Sequence, residues 1–196
     1  MINYTHNLRR LIGIKKITAL VLASLLMVSM LSVAFADTYG LAAITTYGAV
    51  KNAEVKDNEK YEGAAPTDTV ICSVVLDDEG KIKSVLFDTV QVRTKFTVEG
   101  KLVEGDYTAP VPSKIDKGEA YGMRKASAIG KEWFEQIAAF EAYCIGKTVA
   151  EIEAMPTKAA NESDPTVPDV ADLATTVTID VGGYIEALVK AASLAK

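Results

Sequence analysis

Apolar positions alternate or run together in the first half of the chain in the way that β-strands require. The β-branched run TVICSVVLD at 69–77 is followed by a turn at 78–80 and by a second run, KIKSVLFDTVQV, at 81–92. These three segments predict a β-hairpin. An earlier strand or hairpin is predicted over 38–50.

The segments between and after these strands are polar and contain glycine or proline. We predict loops over 51–68 and 104–118, and a surface connection over 156–168. Between the two loops, the sequence KFTVEGKLV at 95–103 predicts a second hairpin with Glu-Gly at its tip.

Helical periodicity replaces the strand pattern after the second loop. Apolar residues recur there at steps of four and three, which places them on one helical face: Ile129, Trp133, Ile137, Phe140 and Cys144. Gly146 is predicted to end this helix. Thr148 and Glu151 have the spacing of a capping box, which predicts a short helix that ends before Pro156.

A second strong helix is predicted at the end of the chain, with Asp180 as its N-cap. Its predicted apolar stripe consists of Val181, Tyr184, Ile185, Leu188, Val189 and Ala192. Strands first and helices afterwards predict an α+β fold, a small antiparallel sheet with helices packed on one face.

The first 36 residues have the three parts of a secretory signal. Basic residues precede an uncharged apolar run from Ile17 to Ala36, and the run ends in the triplet Ala34-Phe35-Ala36. We expect cleavage after Ala36, which leaves one domain over 37–196 that works outside the cytoplasm, secreted or in the cell envelope. An uncleaved anchor is the alternative, because about twenty apolar residues can span a bilayer.

Cleavage would leave a strongly acidic domain. Four of the 21 basic residues and none of the 26 acidic residues lie in 1–36, so 17 basic and 26 acidic residues remain, a net charge of −9. Such a domain has no electrostatic footprint for nucleic acid, and a membrane contact is expected only through an uncleaved signal segment. The one histidine, His6, also lies in 1–36, which excludes Ser-His-Asp and Cys-His catalysis from the domain.

Residues with other chemistry have two interpretations each. Cys72 and Cys144 either pair in an oxidising compartment or are buried as free thiols. The acidic run 77–79 either holds a divalent cation or forms a hairpin turn. No nucleophile or carboxylate pair stands out, so the sequence does not favour an enzyme acting alone.

The candidate binding site is the segment LATTVT at 173–178, just before the terminal helix. Free N–H groups and the positive dipole at a helix start favour a phosphate. The hydroxyls of Thr175, Thr176 and Thr178 and the small residues Gly182 and Gly183 suit such a contact. A threonine-rich segment that simply leads into a capped helix is the alternative.

Basic and aromatic residues in 121–134 extend this hypothesis. Lys131, together with Arg124 and Lys125, either neutralises a phosphate or forms a charged helix face. Four aromatic rings either stack on a flavin or pack in the core: Tyr121, Trp133, Phe134 and Tyr184.

The order of these segments resembles the FMN-binding domain family of exported bacterial redox proteins and related membrane immunogens. The matching parts are VVLDDEGKIKSVLF at 74–87 and LATTVTIDVGGYIEALVKAA at 173–192, the latter in place of a Ser-Gly-Ala-Thr-x-Thr motif and its helix. The resemblance implies an exported electron-transfer module with FMN as cofactor and Thr176 at the position that can carry it covalently. It also implies a redox partner in the envelope. A cofactor-free, antigen-like interaction protein with the same fold is the alternative.

Overall fold

A computed structural model describes residues 37–162 and 164–196, and its centre is a three-stranded antiparallel sheet. Strand β1 covers Thr38–Tyr47, the short strands β2 and β3 cover Glu54–Lys56 and Glu59–Tyr61, and the long strands β4 and β5 cover Gly63–Leu76 and Ile82–Phe96. β4 lies between β1 and β5. The predicted strands over 69–77 and 81–92 are confirmed, and both are longer than the sequence indicated.

The turn between β4 and β5 is built by one carboxylate. Asp77 Oδ1 accepts hydrogen bonds from the backbone N–H groups of Glu79 at 3.0 Å and Lys81 at 2.8 Å. Gly80 has φ 76°, a conformation that favours glycine. The hairpin-turn interpretation of 77–79 is therefore confirmed. The described residues contain no group of three side chains that could hold a metal ion.

Two predicted loops contain regular structure. Within 51–68, β2 pairs with β3 across Asp57 and Asn58, both of which have positive φ. Within 104–118, Ser113 caps the short helix α1, Lys114–Lys117, and a 3₁₀ turn follows over Gly118–Tyr121. The prediction of loops was wrong for these parts. The second hairpin is confirmed only as a tight turn, with a single bridge between Phe96 and Leu102.

The remaining helices agree with their sequence signals in position. Helix α2 covers Trp133–Cys144, α3 covers Val149–Glu153 and α4 covers Gly182–Ser193. Ile129 lies outside α2, in an irregular segment that precedes it. The capping box is confirmed, because the Thr148 hydroxyl and the Glu151 carboxylate each accept the other residue's N–H. The predicted surface connection contains a two-residue ladder between β6, Thr157–Lys158, and β7, Val167–Pro168.

The helices pack on one face of the sheet, so the α+β fold is confirmed. α4 lies against β1 and β4, and α2 lies against β5. Alternate strand residues enter the shared core, whose largest fully buried side chains include Phe87, Phe140, Trp133, Ile137 and Leu188. A Cβ on Gly40 would overlap the carbonyl of Ala191, so glycine lets α4 approach β1 closely.

The buried stripe of α4 differs from the predicted one. Its fully buried members are Tyr184, Ala187, Leu188 and Ala191, whereas Ile185 and Val189 are only half-buried. Small alanines thus replace larger residues where the helix touches the sheet. None of the helices in the described part of the chain is both long and apolar enough to cross a bilayer. The predicted signal segment lies outside the described residues.

Candidate functional site

The threonine segment before α4 forms a compact helical turn. The backbone N–H groups of Thr176 and Val177 both donate to the Leu173 carbonyl at 2.9 Å. The Thr176 hydroxyl also donates to this carbonyl, at 3.3 Å. Thr176 is half-buried, whereas Thr175 is exposed. The hydroxyls at 175 and 176 therefore lie at or near the surface of a well-ordered turn.

The start of α4 is already capped from within the protein. The Gly182 N–H donates to Asp180 Oδ1 at 3.0 Å and to the Thr166 hydroxyl at 3.1 Å. Asp180 Oδ2 in turn accepts from the N–H and the hydroxyl of Thr166. Val181 holds the N-cap position, but the Asp180 side chain performs part of the predicted capping. A carboxylate therefore lies at the positive end of this helix, where the sequence predicts a phosphate.

Gln136 links the threonine segment to the helix layer. Its Oε1 accepts the backbone N–H of Thr178 at 2.8 Å and the Thr178 hydroxyl at 3.2 Å. Its Nε2 donates to the Ser127 hydroxyl at 3.2 Å and to the Lys131 carbonyl at 3.3 Å. Gln136 is completely buried, so these bonds satisfy a polar group that would otherwise be costly. The structure thus brings Thr178 and the Lys131 backbone together around one amide.

A buried carboxylate orders the irregular segment before α2. Glu132 is 2% exposed, and its oxygens accept the backbone N–H groups of Met123 at 2.8 Å and Arg124 at 2.9 Å. The Arg124 side chain forms ion pairs with Glu119 at 2.7 Å and Glu135 at 3.0 Å. Arg124 is therefore engaged in local ion pairs, and because it lies in an irregular segment, the prediction of a charged helix face is wrong for it.

A cleft of about 470 Å³ opens between the two segments that Gln136 connects, and we call it the threonine cleft. Its walls come from the segment before α2, from the β6–β7 region and from the threonine turn. It is lined by Met123, Ala126, Ser127, Ala128, Lys158, Ala160, Asn161, Asp164, Val167, Pro168, Ala174, Val177, Thr178 and Ile179.

Of the predicted site residues, only Thr178 lines this cleft. Thr175 and Thr176 belong to the turn that forms one wall but are not lining residues. Gly182 and Gly183 lie beyond it at the start of α4, where Gly183 approaches Val70 of the sheet. Lys131 is half-buried and contributes its backbone to the Gln136 contact. The predicted residues therefore do not converge on the cleft, because only Thr178 lines it and the others lie in neighbouring segments.

Two of the four aromatic candidates belong to the core. Trp133 is 2% and Tyr184 is 6% exposed, and their rings lie 6.1 Å apart. Tyr184 shares a hydrogen bond of 2.9 Å with the Thr89 hydroxyl, and burial raises its pKa to about 12. Tyr121 and Phe134 are half-buried. Core packing is therefore the role that the structure gives Trp133 and Tyr184.

The two cysteines are free and completely buried. Burial raises the pKa of each thiol to about 12, so neither forms a thiolate near neutral pH. The free-thiol interpretation is the one that the structure supports.

Comparison with known proteins gives one informative similarity. The chain is 31% identical over 91 residues to "Chlorophenol reductase" of Desulfitobacterium hafniense, a match that covers 41% of this chain and 28% of that protein. The chain therefore spans little more than a quarter of the length of this relative. No family model matches the chain, and no solved structure matches it. Part of the chain is thus similar to a redox enzyme.

Proposed function

We propose that this chain is an exported, FMN-binding electron-transfer module of the cell envelope, with the flavin in the threonine cleft. The observation that carries the proposal is the position of this cleft. Its wall contains Ala174 and 177–179, part of the segment that resembles the flavin-binding motif. The partial similarity to a reductase supports a redox role.

The composition of the cleft suits a flavin. Its volume of about 470 Å³ lies within the range of small-molecule sites, roughly 300–1,000 Å³. Apolar side chains such as Met123, Val167 and Val177 would contact the ring system. The Thr178 hydroxyl donates to Gln136 but keeps lone pairs that can accept from a ligand.

The phosphate needs donors other than the start of α4, because Gly182 donates to Asp180 and Thr166. The Thr175 hydroxyl is exposed at the adjacent turn, and the Thr176 hydroxyl would exchange its bond of 3.3 Å to the Leu173 carbonyl for one to the phosphate. Lys158 lines the cleft and forms an exposed ion pair with Asp169 at 2.8 Å. Exposed ion pairs contribute little stability, so Lys158 can leave Asp169 and pair with a phosphate at small cost. We therefore place the phosphate beside these three side chains.

The chemistry would come from the cofactor, and the protein would position it. A bound flavin supplies the capacity to accept and release electrons. Gln136 connects the two walls through hydrogen bonds to Thr178 and to the Lys131 carbonyl, and Glu132 orders the wall that contains Met123. The net charge of −9 over 37–196 would favour a redox partner with a basic docking surface.

Flavin binding is tested by visible absorbance and intact mass of the protein purified from its native host, followed by titration with FMN. Ala174 is exposed and lines the cleft, so Ala174→Trp should fill it and weaken FMN binding by about tenfold or more. Ala138 is an exposed alanine on α2 outside the cleft, and Ala138→Trp should leave FMN affinity unchanged. Thr176→Val should abolish any covalent flavin, or weaken non-covalent binding by about 1–3 kcal/mol.

If the two tryptophan variants bind FMN with equal affinity, the flavin does not bind in the threonine cleft. The proposed function is wrong if the protein from its native host carries no flavin in its mass and does not bind added FMN.

Export is tested separately by N-terminal sequencing of the native protein. We expect a mature N-terminus at Asp37, because the charged start, the apolar run and the Ala34-Phe35-Ala36 exit have the pattern that signal peptidase cleaves. Recovery of an intact 1–36 segment would favour a membrane anchor instead.

A cofactor-free interaction protein is the second candidate, and the outer face of the sheet favours it. Tyr39, Leu41 and Leu86 are 64%, 66% and 49% exposed on the face that the helices leave open. Leu41 and Leu86 both pair with Ser73, so they lie on one row across the sheet. Exposed apolar patches of this kind mark interaction surfaces. If the experiments above find no flavin, a cofactor-free interaction protein becomes the better-supported function.

A further inference from the structure

Two lysine ammonium groups lie near the ring of Tyr121, away from the threonine cleft. The Lys114 ammonium lies 5.2 Å from the centre of the Tyr121 ring and 5.1 Å from that of Trp133. The Lys117 ammonium lies 5.9 Å from the Tyr121 ring. Arg93 of β5 forms an ion pair with Asp68 at 2.6 Å and is close enough to lower the pKa of Lys114. We call Lys114, Lys117 and Arg93 the cationic cluster.

Lys114 lacks the partner that a partly buried ammonium normally has. None of the ion pairs among residues 37–162 and 164–196 includes Lys114, and its ammonium lies over the Tyr121 and Trp133 rings. Burial without a hydrogen-bonding acceptor penalises the charged form. The pKa of Lys114 is accordingly lowered to about 8 by burial, with Arg93 and Lys117 lowering it further and Asp68 and Asp88 opposing them.

The neighbouring carboxylates are already engaged. Asp68 forms an ion pair with Arg93 at 2.6 Å. Asp88 accepts the backbone N–H groups of Thr89 at 2.7 Å and Ile115 at 3.2 Å. Neither carboxylate forms an ion pair with Lys114, so its ammonium has no direct anionic partner among the described residues.

We infer that the cationic cluster is a binding site for an oxyanion of the phosphate class. An oxyanion would give Lys114 the acceptor that it lacks, and charge-assisted hydrogen bonds of this type are among the stronger polar contacts in proteins. Arg93 also lines a cleft of about 510 Å³. Lys51 and Lys95 line it too, as do Glu62 and Asp68, which pair with Lys95 and Arg93. The body of a larger phosphorylated ligand would lie in this cleft.

This site is distinct from the proposed flavin site. None of the three cationic residues, nor Tyr121, lines the threonine cleft. The inference therefore does not depend on the proposed function, and either one can fail without the other.

Inorganic phosphate is the probe, and NMR of the lysine side chains is the measurement. We expect a saturable shift of the Lys114 Cε signal and, at saturating phosphate, a titration midpoint above the one measured without phosphate. Phosphate raises this midpoint because it binds the ammonium form preferentially. Lys114→Met keeps most of the side chain's length and removes the charge. We expect this variant to bind phosphate about tenfold or more weakly. Its affinity is measured from the backbone amide signals of Lys117 and Tyr121, because the Lys114 signal is lost.

Two further variants make the result specific. Lys83→Met removes one positive charge from β5 where Lys83 pairs with Asp37, and phosphate affinity should not change. Lys190→Met removes an exposed positive charge from α4 and should also leave phosphate affinity unchanged. If Lys114→Met does not fold, Lys117→Met replaces it, with the same direction of effect expected. The inference is overturned if no saturable shift occurs, or if Lys83→Met weakens binding as much as the cluster variants do.

Discussion

Replacing Phe140 by alanine is expected to lower the free energy of unfolding by about 3–5 kcal/mol. Phe140 is 0% exposed, and its ring stacks on that of Phe87 with centres 5.7 Å apart. Phe87 also contacts the Tyr184 ring at 5.6 Å, so this pair joins α2, β5 and α4. Truncation would leave a cavity that three elements border, and a close-packed core cannot fully collapse into it.

Chemical denaturation with urea measures this loss, and Tyr47→Ala is the matched control. Tyr47 is 79% exposed at the end of β1, so truncating its ring should change stability by less than about 0.5 kcal/mol. A loss at Phe140 no larger than that at Tyr47 would show that the sheet and helices do not share the core described above. The slope of the unfolding free energy against urea concentration should be similar in all variants, because a changed slope would indicate a different unfolded state.

The elements with strong periodicity could be predicted from the sequence. β4 and β5 are rich in β-branched residues, and α2 carries apolar residues at every three or four positions, because each element buries a continuous face. The short hairpin of β2 and β3 could not be found in this way. All six of its residues are exposed, so no alternation of apolar and polar residues marks it.

The candidate site shows a similar division. The threonine segment was recognisable because hydroxyls precede a helix, but its hydrogen-bonding partners come from distant parts of the chain. The Thr166 hydroxyl accepts the Gly182 N–H although the two residues are 16 positions apart in the chain. Gln136 accepts the N–H of Thr178, which is 42 positions away. Local sequence patterns contain no information on such contacts.

Gln136 nevertheless left a signal that sequence reasoning missed. It lies three residues after Trp133 and four before Phe140, on the apolar face of the predicted helix. A polar residue on such a face must find hydrogen-bond partners or lose stability. The position of Gln136 therefore indicated a buried polar contact, although its partners could be known only from the structure.

Leu188→Ala is expected to lower the free energy of unfolding by about 2–5 kcal/mol, because Leu188 is 0% exposed on the side of α4 that packs in the core. The helix covers both β1 and β4, so its packing closes the core over two of the three strands. Leu194→Ala makes the same chemical change just beyond the helix, at a side chain that is 52% exposed. This variant should lose less than about 0.5 kcal/mol in urea denaturation. Equal losses at the two leucines would mean that α4 does not pack through the stripe of Tyr184, Ala187, Leu188 and Ala191.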